Sequence, residues 1–179
     1  LDLGDERFLI TSHANGLQER VFRIFDYAGN PLSPEIIYAT GRGDNLRDAP
    51  VLLGDGRFAI LDMNLSTFKL DLFVFDSSTG ASVATIPIAP YVTPIVSAVN
   101  VGNSAPVEIS SSPLGALVTY ARDGSIYATQ VSASDLSTKT VLVKSGGAHS
   151  FETHRINSEA ILIAYSVDTT TYAKVVSAS

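Results

Sequence analysis

His149, Glu152 and His154 are the closest approach to a metal cluster in this chain, since imidazole and carboxylate groups are the ligands zinc takes. On a strand, Glu152 and His154 share a face and His149 falls on the other, with no fourth ligand nearby in sequence. We therefore read them as part of a surface strand, and His13, alone in a hairpin loop, the same way. Asp5, Asp55, Asp123 and Asp168 recur at turns and invite calcium, a hard cation that gathers carboxylate and carbonyl oxygens. Asp and Gly are also what tight turns require for conformational reasons, and neither an EF-hand spacing nor a glycine-rich nonapeptide run is present. The expectation is turn residues and no cofactor, with calcium as the one ion the pattern suggests.

Two further chemistries need side chains from distant parts of the chain. A glycosidase built on a propeller takes its acid and its base or nucleophile from different blades, and Glu35, Glu108, Glu152 and Asp62 are the carboxylates available. Against this stands the absence of Trp for sugar stacking and of any Gly-x-Ser-x-Gly, Walker or dinucleotide motif. The chain is read as a non-enzyme, with a glycoside hydrolase as the alternative. Binding is expected on loops. Gly41-Arg42-Gly43-Asp44-Asn45 contains the Arg-Gly-Asp tripeptide that integrins recognise, and a long crossing runs from Ala89-Pro90-Tyr91 to Gly102-Asn103. Arg42, Asp44, Tyr91 and Asn103 are the binding candidates, and Asn64-Leu65-Ser66 is a glycosylation sequon in a predicted loop.

The elements that must position these residues come from a repeat. Residues 1–40 match 51–90 at an offset of 50 without a gap, with ten identities that include Asp5/Asp55, Arg7/Arg57, Phe8/Phe58, Ile10/Ile60 and Phe25/Phe75. Residues 117–134 match 162–179 at an offset of 45 with nine identities, among them Tyr120/Tyr165, Asp123/Asp168 and Tyr127/Tyr172. Periods of this size belong to propeller blades and related arrays. Short β-branched and aromatic runs separated by turn residues leave no stretch in which helical periodicity develops. In the second unit, Pro50 to Leu53, Arg57 to Leu61, Leu70 to Phe75 and Ser82 to Ile88 form a four-stranded meander, with Gly54-Asp55-Gly56 and Asp76 to Gly80 as turns. The other units repeat the plan: Arg7 to Thr11, Val21 to Phe25 and Glu35 to Ala39; Val107 to Ile109, Leu114 to Tyr120, Ile126 to Val131 and Thr140 to Val143; Ser150 to Ile156, Ala160 to Tyr165 and Tyr172 to Val176.

The strands Val21 to Phe25 and Leu70 to Phe75 are apolar on both faces, so each sheet is expected to be covered on both sides. The expected fold is all-β: a propeller-like array of four units, approximately 1–43, 44–90, 104–145 and 146–179, forming one domain. A β-sandwich is the alternative. The last unit lacks its fourth strand. Residues 1 to 3, another chain, or sequence not present here are the candidates to fill it, by strand exchange or pairing.

The run Phe25-Asp26-Tyr27-Ala28-Gly29-Asn30-Pro31-Leu32, followed by Asp44 to Pro50 and by Val51-Leu52-Leu53-Gly54-Asp55-Gly56-Arg57-Phe58-Ala59-Ile60, resembles a bacterial repeat. The likeness is to propeller-like repeats of large secreted, calcium-associated proteobacterial proteins and adhesins, and it covers mainly residues 1–90. It implies a repeat scaffold in a surface or secreted protein, and it brings no catalytic residues with it.

Composition narrows the partners. With 12 Lys and Arg against 18 Asp and Glu, the net charge of −6 repels a phosphate backbone, so nucleic acid is not expected. No apolar run approaches the roughly 20 residues of a membrane span. There is no Cys, charged residues are only 17 %, and Ser and Thr are abundant, a polarity without charge seen on extracellular β-surfaces. Leu1-Asp2-Leu3-Gly4-Asp5 has no leader character, and the chain is read as starting within a repeat. The expectation is an extracellular or cell-surface location, virion association included, with a protein or glycan surface as partner. The function expected is a non-enzymatic adhesion or scaffold module, with a lectin, a phage or virion structural or receptor-binding protein, and a propeller glycosidase as alternatives.

Overall fold

The computed structural model describes residues 1–14, 19–40, 50–64, 67–92, 107–112, 114–157 and 160–177. Among them are fifteen strands and no helix. Sheet one holds β1 (Asp2–Gly4), β2 (Arg7–Ala14), β3 (Glu19–Asp26) and β4 (Ile36–Thr40); sheet two holds β5 (Pro50–Gly54), β6 (Arg57–Asn64), β7 (Lys69–Asp76) and β8 (Ser82–Ala89). Sheet three holds β9 (Val107–Ser112), β10 (Gly115–Arg122), β11 (Ser125–Ser132) and β12 (Thr138–Lys144), and sheet four β13 (Ala148–Arg155), β14 (Ala160–Val167) and β15 (Thr170–Ser177). Every sheet is an antiparallel meander, the last with three strands where the others have four.

Turn chemistry sets the registers. Asp55 and Gly56 have φ of 49° and 68°, and Asp123 and Gly124 have 52° and 70°, the two positive values of the type I′ turn whose twist suits a hairpin. Asp5 and Glu6 adopt the same pair at 49° and 58°. The turn Asps thus serve the conformational role expected of them. The wider turns after the third strands are held by carboxylates: Asp26 accepts from the Asn30 amide and side chain at 2.7 and 2.8 Å, and Asp76 accepts from both hydroxyls of Ser78 and Thr79 at 2.6 and 2.8 Å.

Because side chains alternate across a strand, each sheet turns one face to the sheet before it and the other to the sheet after it. Three buried clusters fill the three interfaces. Leu9, Phe22, Ile24 and Tyr38 of sheet one meet Phe58, Ile60 and Phe75 of sheet two. Leu61, Leu70, Leu72 and Val74 of sheet two meet Ala116, Val118, Tyr120 and Val131 of sheet three. Leu117, Ala121, Ile126 and Ala128 of sheet three meet Phe151, Ile161 and Ile163 of sheet four. The first interface is aromatic, with Phe22 edge-on to Phe58 at 5.3 Å and to Phe75 at 4.7 Å between ring centroids. Such pairs add about 0.5–1.5 kcal/mol each beyond the area they bury. First strands run closest to one another, β5 against β9 and β9 against β13. The fourth strands lie outermost, which is why Pro87, with no amide to donate, is tolerated in the edge strand β8.

The architecture is the all-β, propeller-like array expected, four antiparallel sheets of which none closes on itself among the described residues. Two details differ from expectation. Asp2–Gly4 pairs with β2 as the first strand of sheet one, so residues 1 to 3 do not complete sheet four. His13 is not in a loop: β2 continues through it, paired across to Arg20. No helix among the described residues is long and apolar enough to cross a membrane.

Candidate functional site

In a four-stranded meander the hairpin between the second and third strands opens at the same end as the chain's exit toward the next sheet. That end therefore gathers the last residues of β2 and β6, the turn after β10 and the departing segment Ala89 to Val92. Of the four loop candidates, Tyr91 lies there, whereas Arg42, Asp44 and Asn103 lie outside the described residues.

Tyr91 leaves sheet two and reaches sheet three. Its hydroxyl donates to Asp123 Oδ2 at 2.6 Å, in the turn between β10 and β11. The carboxylate, by accepting that proton, raises the phenol's pKa above its ordinary value. The neighbouring Arg122 guanidinium lies 4.6 Å from the Tyr127 ring centroid and 5.8 Å from that of Tyr91. Tyr127 in turn stacks on Tyr120 at 5.7 Å and 16°. Hydrogen bonding to Tyr127 raises the Arg122 pKa, so the cation is permanent. The result is a ladder of Tyr120, Tyr127, Arg122 and Tyr91 whose last member is 40 % exposed. An aromatic face beside a fixed cation suits stacking and hydrogen bonding to a polar partner. Sheet four repeats the inner rungs: Tyr165 and Tyr172 stack at 5.7 Å and 19°.

No family model, curated protein or solved structure matches this chain.

The remaining candidates are kept apart. Glu35 precedes β4 at the opposite end of the array from Asp62, which is fully buried near the end of β6. Glu108 is half-buried and engaged by sheet four: its Oε2 accepts from the amide and the hydroxyl of Thr153, both at 2.6 Å. Glu152 and His154 share an exposed face of β13, 3.5 Å apart, and the side chain of His149 lies outside the described residues. Among the described residues no three His, Asp or Glu side chains gather as a metal site would require.

Sequence reasoning missed a buried charged group at this same end. Arg20 is buried on the face of β3 that carries Phe22 and Ile24, and its guanidinium bonds to His13 Nε2. Asp62 and Asp71 are directly opposed on β6 and β7, on the face that carries Ile60 and Phe73, with Lys69 Nζ 3.0 Å from Asp71 Oδ1. Opposite charges thus occupy the facing sides of sheets one and two. Polar atoms taken out of water in this way are tolerated when charges compensate one another. The signal in the sequence was polar residues interrupting the apolar alternation of β3, β6 and β7.

Charged groups also tie neighbouring sheets at the other end. Arg7 donates to the Ser77 carbonyl at 3.3 Å and Arg57 to the Ala133 carbonyl at 2.5 Å, each reaching a turn of the next sheet from the same place in the repeat. Lys174 of sheet four reaches back to the Val143 carbonyl at 3.1 Å, near the last residue of β12 and so toward the Tyr91 end.

Proposed function

We propose that the chain is a non-enzymatic interaction or scaffold module of a secreted, cell-surface or particle-associated protein. What carries the reading is the use made of its polar side chains. Glu108, Arg7, Arg57 and Lys174 each spend their charge on the backbone of an adjacent sheet, and Asp26 and Asp76 spend theirs inside turns. Of the carboxylates that a hydrolase could use, Glu108 is thereby committed to holding the array, and Glu35 and Asp62 stand at opposite ends of it. The low charge and high Ser and Thr content, and the resemblance of residues 1–90 to repeats of secreted proteins, support the location. Incubation with a panel of aryl glycosides should give no turnover that Glu152→Gln or Asp62→Asn abolishes; turnover lost on either change would overturn the proposal.

A glycan-binding form of the module is favoured by one observation, the exposed Tyr91 ring beside the Arg122 cation. Saturable binding on a glycan array, lost in Tyr91→Ala, would establish the lectin reading in place of a protein-binding one.

A further inference from the structure

The two ends of the array are the two halves of one kind of interface. Sheet one's outward side carries Phe8, Ile10 and Phe25, paired Phe8 to Phe25 and Ile10 to Arg23 across β2 and β3. Their counterparts fifty positions on, Phe58, Ile60 and Phe75, lie under Phe22 and Ile24 of the preceding sheet. Even the ring stacking is the same, 5.5 Å and 18° for Phe8 and Phe25 against 5.3 Å and 24° for Phe58 and Phe75. Yet Ile60 is wholly buried and Ile10 is 48 % exposed. Sheet one therefore presents the large-residue half of an inter-sheet contact with no sheet against it among the described residues.

Sheet four presents the other half. Leu162 pairs with Val175 and Ala164 with Ala173 on its outward side, forty-five positions after Leu117, Thr119 and Ala128 of the face on which sheet three receives Phe151 and Ile163. Val175 is 56 % exposed, and the neighbouring surface is a groove of about 260 Å³ bordered by Ser150, Glu152, Ala164 and Thr171. The repeat carries the polar clamp as well. Glu152 stands opposite Ala164 as Glu108 stands opposite Thr119, and Glu108 is the group that grips the first strand of the following sheet. On the complementary face, Arg23 supplies a cation above the Phe25 ring.

We propose that the occupant of each open face is a second copy of this chain, joined head to tail, sheet four of one copy on sheet one of the other. The face by which sheet three receives its successor is thereby offered to the face by which sheet two meets its predecessor, Glu152 is offered to the Arg23 cation, and neither face is covered by the described residues of a single copy. Such a contact is heterologous, and two of them related by a twofold axis close a ring. Two copies of four sheets make a ring of about eight blades, within the roughly four to eight that propellers use. The proposal rests on the reading of the chain as an interaction module and names its partner.

Sedimentation velocity from roughly 1 to 100 µM, spanning micromolar affinities, tests it. Wild type should pass from monomer to dimer. Ile10→Asp, which spoils only the sheet-one face, and Val175→Asp, which spoils only the sheet-four face, should each weaken dimerisation by at least about tenfold. An equimolar mixture of the two should recover a one-to-one dimer, because one intact pair of faces remains. Thermal unfolding checks that each variant is folded, and Ala173→Glu on the same face replaces Val175→Asp if it is not. A wild type that stays monomeric, a variant that still dimerises, or a mixture that fails to associate would overturn the proposal. A monomeric wild type removes self-pairing and leaves the module reading standing, which the glycoside panel tests separately.

Discussion

Glu108 offers the sharpest test of whether charge in this protein serves architecture or chemistry. Its Oε2 receives two hydrogen bonds at 2.6 Å, from the Thr153 amide and hydroxyl. A hydrogen bond to a charged group contributes about 1.5–3 kcal/mol. Both lie in a half-buried setting where water competes, so Glu108→Ala should cost about 2–4 kcal/mol, toward the low end of the sum. At about 2–4 °C per kcal/mol for a chain of this size, the midpoint of thermal unfolding should fall by roughly 4–16 °C. Glu108→Gln keeps an acceptor oxygen and loses the charge, and should cost about half as much. Thr153→Val removes the hydroxyl donor and leaves the amide, so a double-mutant cycle in urea should show a coupling of about 1 kcal/mol. The m-value should not change, since the same surface is exposed on unfolding. A Glu108→Ala protein within about 0.5 kcal/mol of wild type, or a cycle that is additive, would refute the assignment of this carboxylate as an inter-sheet clamp.

Gly115 has a φ of 139°, and an added Cβ would stand 1.9 Å from the Val131 carbonyl oxygen, so Gly115→Ala should cost at least about 3 kcal/mol in chemical denaturation. Glu6 holds a left-handed φ of 58° beside Asp5, so Glu6→Gly should raise the unfolding midpoint by the equivalent of about 1 kcal/mol. Asp76 and Asp135 have carboxyls lowered from 3.8 to about 2 by hydroxyl and amide donors, the Ser78 hydroxyl first for Asp76 and the Ser137 amide first for Asp135. A folded-state value below the unfolded one contributes stability present above pH about 4 and lost as pH falls toward 2, so the melting temperature should drop across that window and Asp76→Asn should flatten the drop.

The strands and hairpins were legible because their determinants are local. Asp55-Gly56 and Asp123-Gly124 fix a turn type, and a turn type fixes a register, with no reference to the rest of the chain. The interfaces were legible in outline, since apolar residues on both faces of β3 and β7 demand cover on both sides. Their contents were not. Arg20, Asp62 and Asp71 interrupt apolar strands, and only the stacking of sheet one on sheet two brings the opposite charges to facing sides. Glu108 was weighed as a catalytic carboxylate because sequence does not show which first strand lies beside which. Tyr91 was found through the length of its loop, while its contact with Asp123 joins two sheets and has no counterpart in spacing. The three-residue β1 is too short to carry a pattern of its own.

The fading of the repeat along the chain has a physical cause in how the sheets are matched. A buried interface is constrained in its total volume and shape, not in which side contributes the bulk. Between sheets one and two both sides contribute, Phe22 and Ile24 against Phe58 and Phe75. Between sheets three and four, Phe151 and Ile163 meet a mixed face, Leu117 and Ile126 beside Ala121 and Ala128. Ala116 takes in sheet three the place that Phe58 takes in sheet two, and Tyr120 fills the space from further along the same strand. Each sheet is thus fitted to its neighbours and not to an average blade, so identities persist where a backbone conformation is at stake, as at Asp5, Asp55, Asp123 and Asp168, and drift where only a pairwise fit is. Exchanging a blade for its own repeat partner should therefore preserve the hairpins and damage the interfaces. A face left open at an end of the array is, by the same reasoning, a shape with a specific complement, and the outward face of sheet four, with Leu162, Ala164 and Val175, is the complement we propose for sheet one.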